Sequence, residues 1–240
     1  MPNPSQKLQV DIWSDIACPW CYIGKRHLEQ ALAKFPHKDE VEIVWHAFEL
    51  DPAAPKKREG AGTHAERIAK KYGMSTQVAQ QRIDHMVKIA EGDGLEFRFD
   101  RVQSGNTFDA HRVVHLGHER GVQDAVKERL LRAYMTEGQA IGDHDVLVTL
   151  GREAGLDEQE VREMLGSDRY TAEVRQDEAA ARELGISGVP FFVLDGRLGV
   201  SGAQPAEVLL GALNQAWTEH RKPALETYAE GAACGPDGCD

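Results

Sequence analysis

The chain has 240 residues, 41% of them hydrophobic and 28% charged, so it is long enough to bury one or two hydrophobic cores. A net charge of −11 argues against binding to nucleic acid or to anionic membranes, because both repel an acidic protein. No apolar run is long enough to span a bilayer, and residues 1–7 lack the apolar segment of a secretory signal. We therefore expect a cytoplasmic protein.

The first elements predicted along the chain are a strand, a helix and a second strand. Residues 8–13 alternate between apolar and polar side chains, and so do residues 41–45. Between them, apolar residues at helical spacing continue up to Phe35, and Pro36 ends the helix. This β-α-β order predicts a parallel strand pair with a right-handed crossover.

Two cysteines, Cys18 and Cys21, stand two residues apart where the first strand meets this helix. The unpaired N–H groups and the positive end of the helix dipole favour a thiolate at Cys18. Pro19 suits the first helical turn, where its missing N–H is not needed. The alternatives are a zinc half-site, which requires further ligands, and two ordinary buried thiols. Spacing and position favour a redox-active dithiol.

A long helical segment follows a loop at residues 51–62 that is rich in Pro, Lys, Gly and Ala. Asp157 with Glu160 three residues later is typical of a helix N-terminus. One predicted helix has the apolar stripe Ala125, Val126, Arg129, Leu130 and Ala133, interrupted by its arginine. No strand pattern occurs in this segment, so we predict a helical domain inserted into another domain.

The last elements are a β-hairpin and a helix. Gly188-Val189-Pro190 precedes an apolar run at 191–194, and the turn Asp195-Gly196 leads to a second run at 198–201. Pro205 opens a final helix. The predicted domains are 8–60 together with 185–222 (a discontinuous α/β domain), 61–184 (inserted helical domain) and 223–240 (a tail with a second cysteine pair).

The chain contains several separated motifs: SDIACPWCYIG at 14–24, FELDP at 48–52, NT at 106–107 with AHR at 110–112, GVPFF at 188–192 and SGAQ at 201–204. These motifs, in this order, resemble those of the DsbA-like thioredoxin-fold oxidoreductases, specifically their FrnE-like branch. The similarity spans roughly residues 8–217. The resemblance implies an α/β thioredoxin fold interrupted by a large all-helical domain, which the order of elements predicts independently.

The resemblance also implies roles for individual residues. Cys18 would be the nucleophile that attacks a substrate disulfide, and Cys21 would resolve the mixed disulfide. Pro190 resembles the cis-proline that faces the dithiol, and the backbone of Val189 would pair with an extended substrate; the alternative is a plain strand-entry proline. Trp20 either contacts substrate and tunes the dithiol or merely covers it.

Other polar residues near these motifs have open roles. Asp15 is either a group that tunes the thiolate or a surface turn residue. His46 and Glu49 follow the second strand and are either catalytic or surface and capping residues. Three histidines share one helix, where a pair at i, i+4 could bind a metal but a polar stripe is the simpler interpretation: His111, His115 and His118. We expect no metal.

The second cysteine pair, Cys234 and Cys239, has three interpretations. It is a second redox pair that exchanges with the first, a stabilising disulfide in the tail, or half of a metal site. The sequence leaves these open.

The sequence thus predicts a cytoplasmic thiol–disulfide oxidoreductase or isomerase that acts on protein disulfides. It needs no cofactor beyond its own redox-active disulfide, with glutathione or a thioredoxin-type thiol as electron partner. One alternative is a glutathione-dependent isomerase or kappa-class glutathione transferase, which share the interrupted fold but generally lack the intact cysteine pair. Another is a non-catalytic chaperone that retains the motif without using it.

Overall fold

The computed structural model describes residues 7–56 and 62–221, together with the backbone of two short strands at 234–235 and 238–239. In that tail, Cys234–Gly235 pairs antiparallel with Gly238–Cys239. The side chains of Cys234 and Cys239 lie outside the described residues, so their proposed roles stay predictions.

A four-stranded mixed sheet organises the fold, in the order β2-β1-β3-β4. Its strands are β1 (Leu8–Ser14), β2 (Val41–Ala47), β3 (Phe191–Leu194) and β4 (Leu198–Ser201). β1 is parallel to β2 and antiparallel to β3, which confirms the predicted β-α-β unit. β3 and β4 form the predicted hairpin. Asp195 and Gly196 both have positive φ, at 53° and 66°, as a two-residue turn of this hand requires.

Helices account for most of the remaining described chain. They are α1 (Pro19–Lys34), α2 (His64–Tyr72), α3 (Thr76–Gly92), α4 (Phe108–Glu119), α5 (Gln123–Arg132), α6 (His144–Glu153), α7 (Glu158–Leu165), α8 (Thr171–Glu183) and α9 (Ala206–His220). The helices α2 to α8 come between β2 and β3, so the sheet is interrupted by a helical insertion as predicted. The Asp157 carboxylate caps α7 by accepting the Glu160 N–H at 2.8 Å, which confirms the cap.

The two parts share one continuous core. α9 packs against α1 and against β1, β3 and β4, whereas α4, α5 and α8 of the insertion contact β2. Among the described helices, none combines the length and apolar composition that crossing a membrane requires.

Helix α5 covers the outer edge of the sheet, which is formed by β2. The side-chain amide of Gln123 accepts the Trp45 N–H at 3.0 Å and donates to the Trp45 carbonyl at 2.9 Å, as a neighbouring strand would. Such an edge is otherwise open to pairing with other chains. The insertion therefore belongs to the folding unit of the sheet.

The stripe predicted for α5 was wrong in part. Ala125 is exposed, and Arg129 reaches out to Glu137 and Glu153. The buried face of this helix is instead Gln123, Val126, Lys127, Leu130 and Leu131. An apolar pattern misses this face because two of its members are polar and are buried only through contacts with the sheet.

Candidate active site

The site is built where β1 ends and α1 begins. Cys18 is the N-cap residue of α1, with extended backbone at φ −94° and ψ 112°, and Pro19 is the first helical residue. The Cys18 N–H donates to the Asp15 carbonyl at 3.2 Å, which closes the turn after β1. Cys18 therefore lies at the positive end of the α1 dipole, as its position in the sequence predicts.

The two cysteines differ in access. Both thiols are free; Cys18 is 4% exposed and Cys21 is 0% exposed. Burial raises the pKa of Cys21 well above that of an ordinary thiol, and the hydrogen bond and charge of Cys18 raise it further. Cys18 is thus the thiol that an incoming disulfide can reach first.

The loop before β3 faces the dithiol. The Cys18 thiol donates to the Val189 carbonyl at 3.5 Å, and the Val189–Pro190 peptide bond is cis. Trp20, in the first turn of α1, is 37% exposed. The structure therefore places Trp20 and the Val189–Pro190 peptide bond next to Cys18, and the roles of these residues in binding substrate stay predictions.

Gly24 allows α1 to lie directly against this loop. A Cβ atom at Gly24 would come within 2.9 Å of Pro190 Cγ and 3.3 Å of Phe192 Cζ, closer than packed carbon atoms tolerate. Glycine is therefore needed at this position to keep the Val189–Pro190 loop next to Cys18.

Gly24→Ala is expected to destabilise the protein by about 1–3 kcal/mol, since the loop must move to admit the methyl group. The same movement is expected to lower the rate of disulfide exchange. Urea unfolding and a disulfide reduction assay measure the two effects. The matched control is Gly211→Ala on α9, where a Cβ meets nothing within 4 Å and a gain of up to about 1 kcal/mol is expected. Equal behaviour of the two variants would refute the packing argument.

Asp15 is buried beneath the turn, so its interpretation as a surface residue was wrong. Its carboxylate accepts the Leu50 N–H at 2.8 Å and the Ala17 N–H at 3.3 Å, and lies 3.4 Å from His111 Nε2. Burial acts to raise the pKa of Asp15, but His111 and the Leu50 N–H outweigh it and lower the pKa. Asp15 thus ties the dithiol turn to the loop after β2 and to the insertion.

Lys127 of α5 is a residue of the site that the sequence analysis missed. Its side chain is completely buried, with Nζ donating to the Ser14 carbonyl at 3.4 Å and lying 5.5 Å from the centre of the Trp45 ring. Burial lowers its pKa to about 8. The signal that could have found it is its helical spacing from Gln123 and Leu131, which places all three on one face.

The chain matches a known protein family along most of its length. Residues 9–214 match the DSBA-like thioredoxin domain. The chain belongs to this family. It is 47% identical to a probable DsbA oxidoreductase from Streptomyces coelicolor, with a TM-score of 0.84 over 97% of this chain and 98% of that one.

Two further proteins are similar to this chain at lower identity. The uncharacterized protein YwbO of Bacillus subtilis is 28% identical over 209 residues, which cover 86% of this chain and 96% of YwbO. The cytosolic disulfide reductase DsbM from Pseudomonas aeruginosa is 19% identical, with a TM-score of 0.61 over 88% of this chain and its whole length. At that identity, DsbM shows the fold alone.

The other polar residues that the sequence analysis singled out, His46 and Glu49, connect the sheet of this DSBA-like chain to its helical insertion. His46 lies between two carboxylates, with Nε2 2.7 Å from Asp11 and Nδ1 2.8 Å from Asp177. Asp177 also accepts the Ala47 N–H at 2.8 Å and lies 2.9 Å from His115 Nε2. Burial lowers the pKa of His46, but the two carboxylates raise it more, to about 9. The contacts of His46 are therefore structural.

Glu49 has a similar place, and its interpretation as a surface residue was wrong. Its side chain is buried, with Oε2 2.7 Å from Arg175 Nη1 and Oε1 accepting from Asn106 at 3.1 Å. Burial raises its pKa. Both partners come from the insertion, so Glu49 joins the loop after β2 to that part of the fold.

The three histidines of α4 do not converge. His111 faces Asp15, His115 faces Asp177, and His118 is exposed. Within the described ranges, no three His, Cys, Asp or Glu side chains are grouped to hold a metal ion. The arrangement therefore favours the polar-stripe interpretation over the i, i+4 metal pair.

The contribution of His46 to stability is expected to depend on pH. Its folded pKa of about 9 lies above the ordinary value of 6.5, so the stabilisation is complete below pH 6.5 and is lost as pH rises through 9. The difference in free energy of unfolding between the wild type and His46→Gln should shrink by about 2–3 kcal/mol over this window. Urea titrations at several pH values measure it. His85→Gln, on the exposed surface of α3, is the control; a constant difference for His46→Gln would contradict the assignment.

Proposed function

We propose that this chain reduces or isomerises protein disulfides, with Cys18 as nucleophile and Cys21 as resolving thiol. The observation that carries the proposal is the free Cys18 thiol at the N-terminus of α1, 3.5 Å from the Val189 carbonyl, with Cys21 fully buried behind it. Membership of the DSBA-like family supports thiol–disulfide chemistry in general.

The reaction takes place in two exchanges. The Cys18 thiolate attacks one sulfur of a substrate disulfide, the substrate S–S bond breaks, and the released substrate thiolate takes up a proton. Cys21 then loses its proton and attacks Cys18, which releases the second substrate thiol and leaves a Cys18–Cys21 disulfide. Glutathione or a thioredoxin-type thiol restores the dithiol. In isomerisation, the substrate's own thiol attacks the mixed disulfide instead.

The surface around Cys18 suits an unfolded polypeptide. Trp20 and Leu50 are 37% and 39% exposed, among the few large apolar side chains of the described residues that are this accessible. The backbone of Val189 would align an extended substrate beside Cys18, as in strand addition. Substrate recognition by backbone and apolar contact is consistent with many different protein substrates.

We also propose a cytoplasmic location, the compartment named for the structurally similar DsbM. The cytosolic glutathione poise, about −220 mV or lower, keeps a dithiol of more oxidising potential reduced. The reduced dithiol is the form that reduction and isomerisation require, so net oxidation is not the proposed direction.

The test is a thiol-trapping titration in glutathione redox buffers, with mass spectrometry of each cysteine pair. Reversible exchange of Cys18 and Cys21 is expected. A potential above about −200 mV would indicate an oxidant or isomerase, and one near −270 mV a thioredoxin-like reductase. If the pair does not exchange, the dithiol mechanism is wrong, and turnover that depends on bound glutathione or chaperone activity without Cys18 becomes the function to test.

The rate of thiol–disulfide exchange distinguishes the interpretations of Cys234 and Cys239. We propose that they form a second redox pair that exchanges with Cys18 and Cys21 through high effective concentration. In the Cys234→Ser/Cys239→Ser double variant, the Cys18–Cys21 pair should then be oxidised and reduced more slowly than in the wild type. Unchanged exchange rates would contradict this proposal, and the remaining interpretations would be a stabilising disulfide and a metal half-site.

A further inference from the structure

Lys127 is a buried charge that lacks the usual compensation. Its ammonium group has one long hydrogen bond to the Ser14 carbonyl and the face of Trp45, and no carboxylate of the described residues forms an ion pair with it. Burying an ammonium group without such a partner destabilises a protein. A buried lysine of this kind therefore points to a functional reason for the charge.

Contacts with α1 hold helix α5 so that Lys127 reaches the end of β1, where the cysteine turn begins. On either side of Lys127, Asp124 binds Lys25 at 3.1 Å and Glu128 accepts the Tyr22 hydroxyl at 2.6 Å, both on α1. Ser14, which accepts from Lys127, is the last residue of β1. The insertion thus places its lysine where β1 passes into the cysteine turn.

The charge of Lys127 and the dithiol influence each other. Burial lowers the pKa of Lys127. Of the neighbouring groups that raise this pKa, Cys21 has the largest effect. Conversely, Lys127 lowers the otherwise raised pKa of Cys21. The titratable groups around Lys127 are Cys18 and Cys21 of α1, Asp15 of the turn, His111 of α4 and Asp177 of α8.

We propose that Lys127 is a positioning residue whose ammonium charge, supplied by the helical insertion, stabilises the Cys21 thiolate during resolution of the mixed disulfide. In that step the Cys21 thiol loses its proton to solvent and its sulfur bonds to Cys18 Sγ. The bond from Cys18 to the substrate sulfur breaks, and the departing substrate thiolate takes up a proton. This inference rests on the proposed function, because it concerns its second exchange.

The experiment is a single turnover of the reduced full chain with a chromogenic aromatic disulfide. The chain carries Cys234→Ser and Cys239→Ser so that only the active-site thiols react. The first aryl thiol released reports attack by Cys18, and the second reports resolution by Cys21. Lys127→Met is compared with Lys88→Met, which removes an exposed lysine of α3.

At pH 7, Lys127→Met is expected to slow the second release by about tenfold, the effect of one unit in the pKa of Cys21, and to affect the first release less. The ratio of wild-type to variant rate should fall towards one as pH rises through about 8, where Lys127 loses its charge. Lys127→Arg, which stays charged, should keep the fast second release above that pH.

Thermal stability is expected to rise in Lys127→Met, although the second release becomes slower. Lys127→Met is expected to raise Tm by about 2–4 °C, because it removes an uncompensated buried charge. A second release equal to that of Lys88→Met would overturn the inference, as would slowing that is independent of pH and accompanied by a lower Tm. A missing first release would instead refute the proposed function itself.

Discussion

Cys18→Ser is expected to abolish disulfide exchange, with a loss of at least about 10³-fold in the rate of protein disulfide reduction. Serine keeps the size of the side chain but cannot form a thiolate at neutral pH. Cys21→Ser should instead leave the first exchange intact and accumulate a mixed disulfide, because Cys21 lies buried behind Cys18. Intact mass spectrometry after mixing with a disulfide substrate detects that adduct.

The comparison between the two variants is the decisive part of this test. Both variants also carry Cys234→Ser and Cys239→Ser, and the chain with these two substitutions alone is the reference, since it retains the active-site dithiol and has no other thiol. If Cys18→Ser instead formed an adduct at Cys21, then Cys21 would be the nucleophile, and the roles assigned to the two cysteines would be reversed. Full activity in Cys21→Ser would indicate a bound glutathione thiol as the working group, as in the glutathione-dependent alternatives.

Asp177→Ala is expected to cause the largest loss of stability, about 3–5 kcal/mol, because it leaves partners of a buried ion pair uncompensated. Asp177 is the point where His46 of β2, His115 of α4 and the Ala47 N–H meet α8. Burial acts to raise the pKa of Asp177, but these groups outweigh it and lower the pKa. The free energy of unfolding in urea measures the loss.

Two further variants show whether the charge or the packing of Asp177 is responsible. Asp177→Asn keeps the shape and some hydrogen bonds, so a smaller loss is expected. Gln176→Ala, on the exposed side of the same helix, should stay within about 0.5 kcal/mol of the wild type. A loss below about 1 kcal/mol for Asp177→Ala would mean that the network does not hold the insertion to the sheet.

Joining the insertion to the sheet through polar groups has a consequence for the site. Gln123 pairs with the backbone of β2, Asp15 faces His111, and Glu49 binds Arg175. Each contact links the vicinity of the dithiol turn to a helix of the insertion. Variants that loosen the insertion should therefore change the chemistry of the dithiol as well as stability.

Local patterns in the sequence were sufficient for the framework of this protein. Alternation of period two predicted β1 and β2, two apolar runs around the Asp195-Gly196 turn predicted the β3-β4 hairpin, and helical spacing predicted the insertion between them. The cysteine pair and the Val189-Pro190 segment were predicted from a short motif and from the family resemblance, and the fold brings them together. Such features depend on neighbouring residues, which the sequence shows directly.

The burial of Lys127, Asp15, Glu49 and Gln123 was decided only by the tertiary structure. Each is a polar side chain of a type that is usually exposed, and each is buried by a partner far away in the chain. No local pattern records such a pairing, because the free energy of burying a polar group depends on whether the opposite element supplies a charge or a hydrogen bond. The sequence by itself therefore determined the dithiol and the order of the elements, whereas the tertiary contacts determined the electrostatic environment in which that dithiol works.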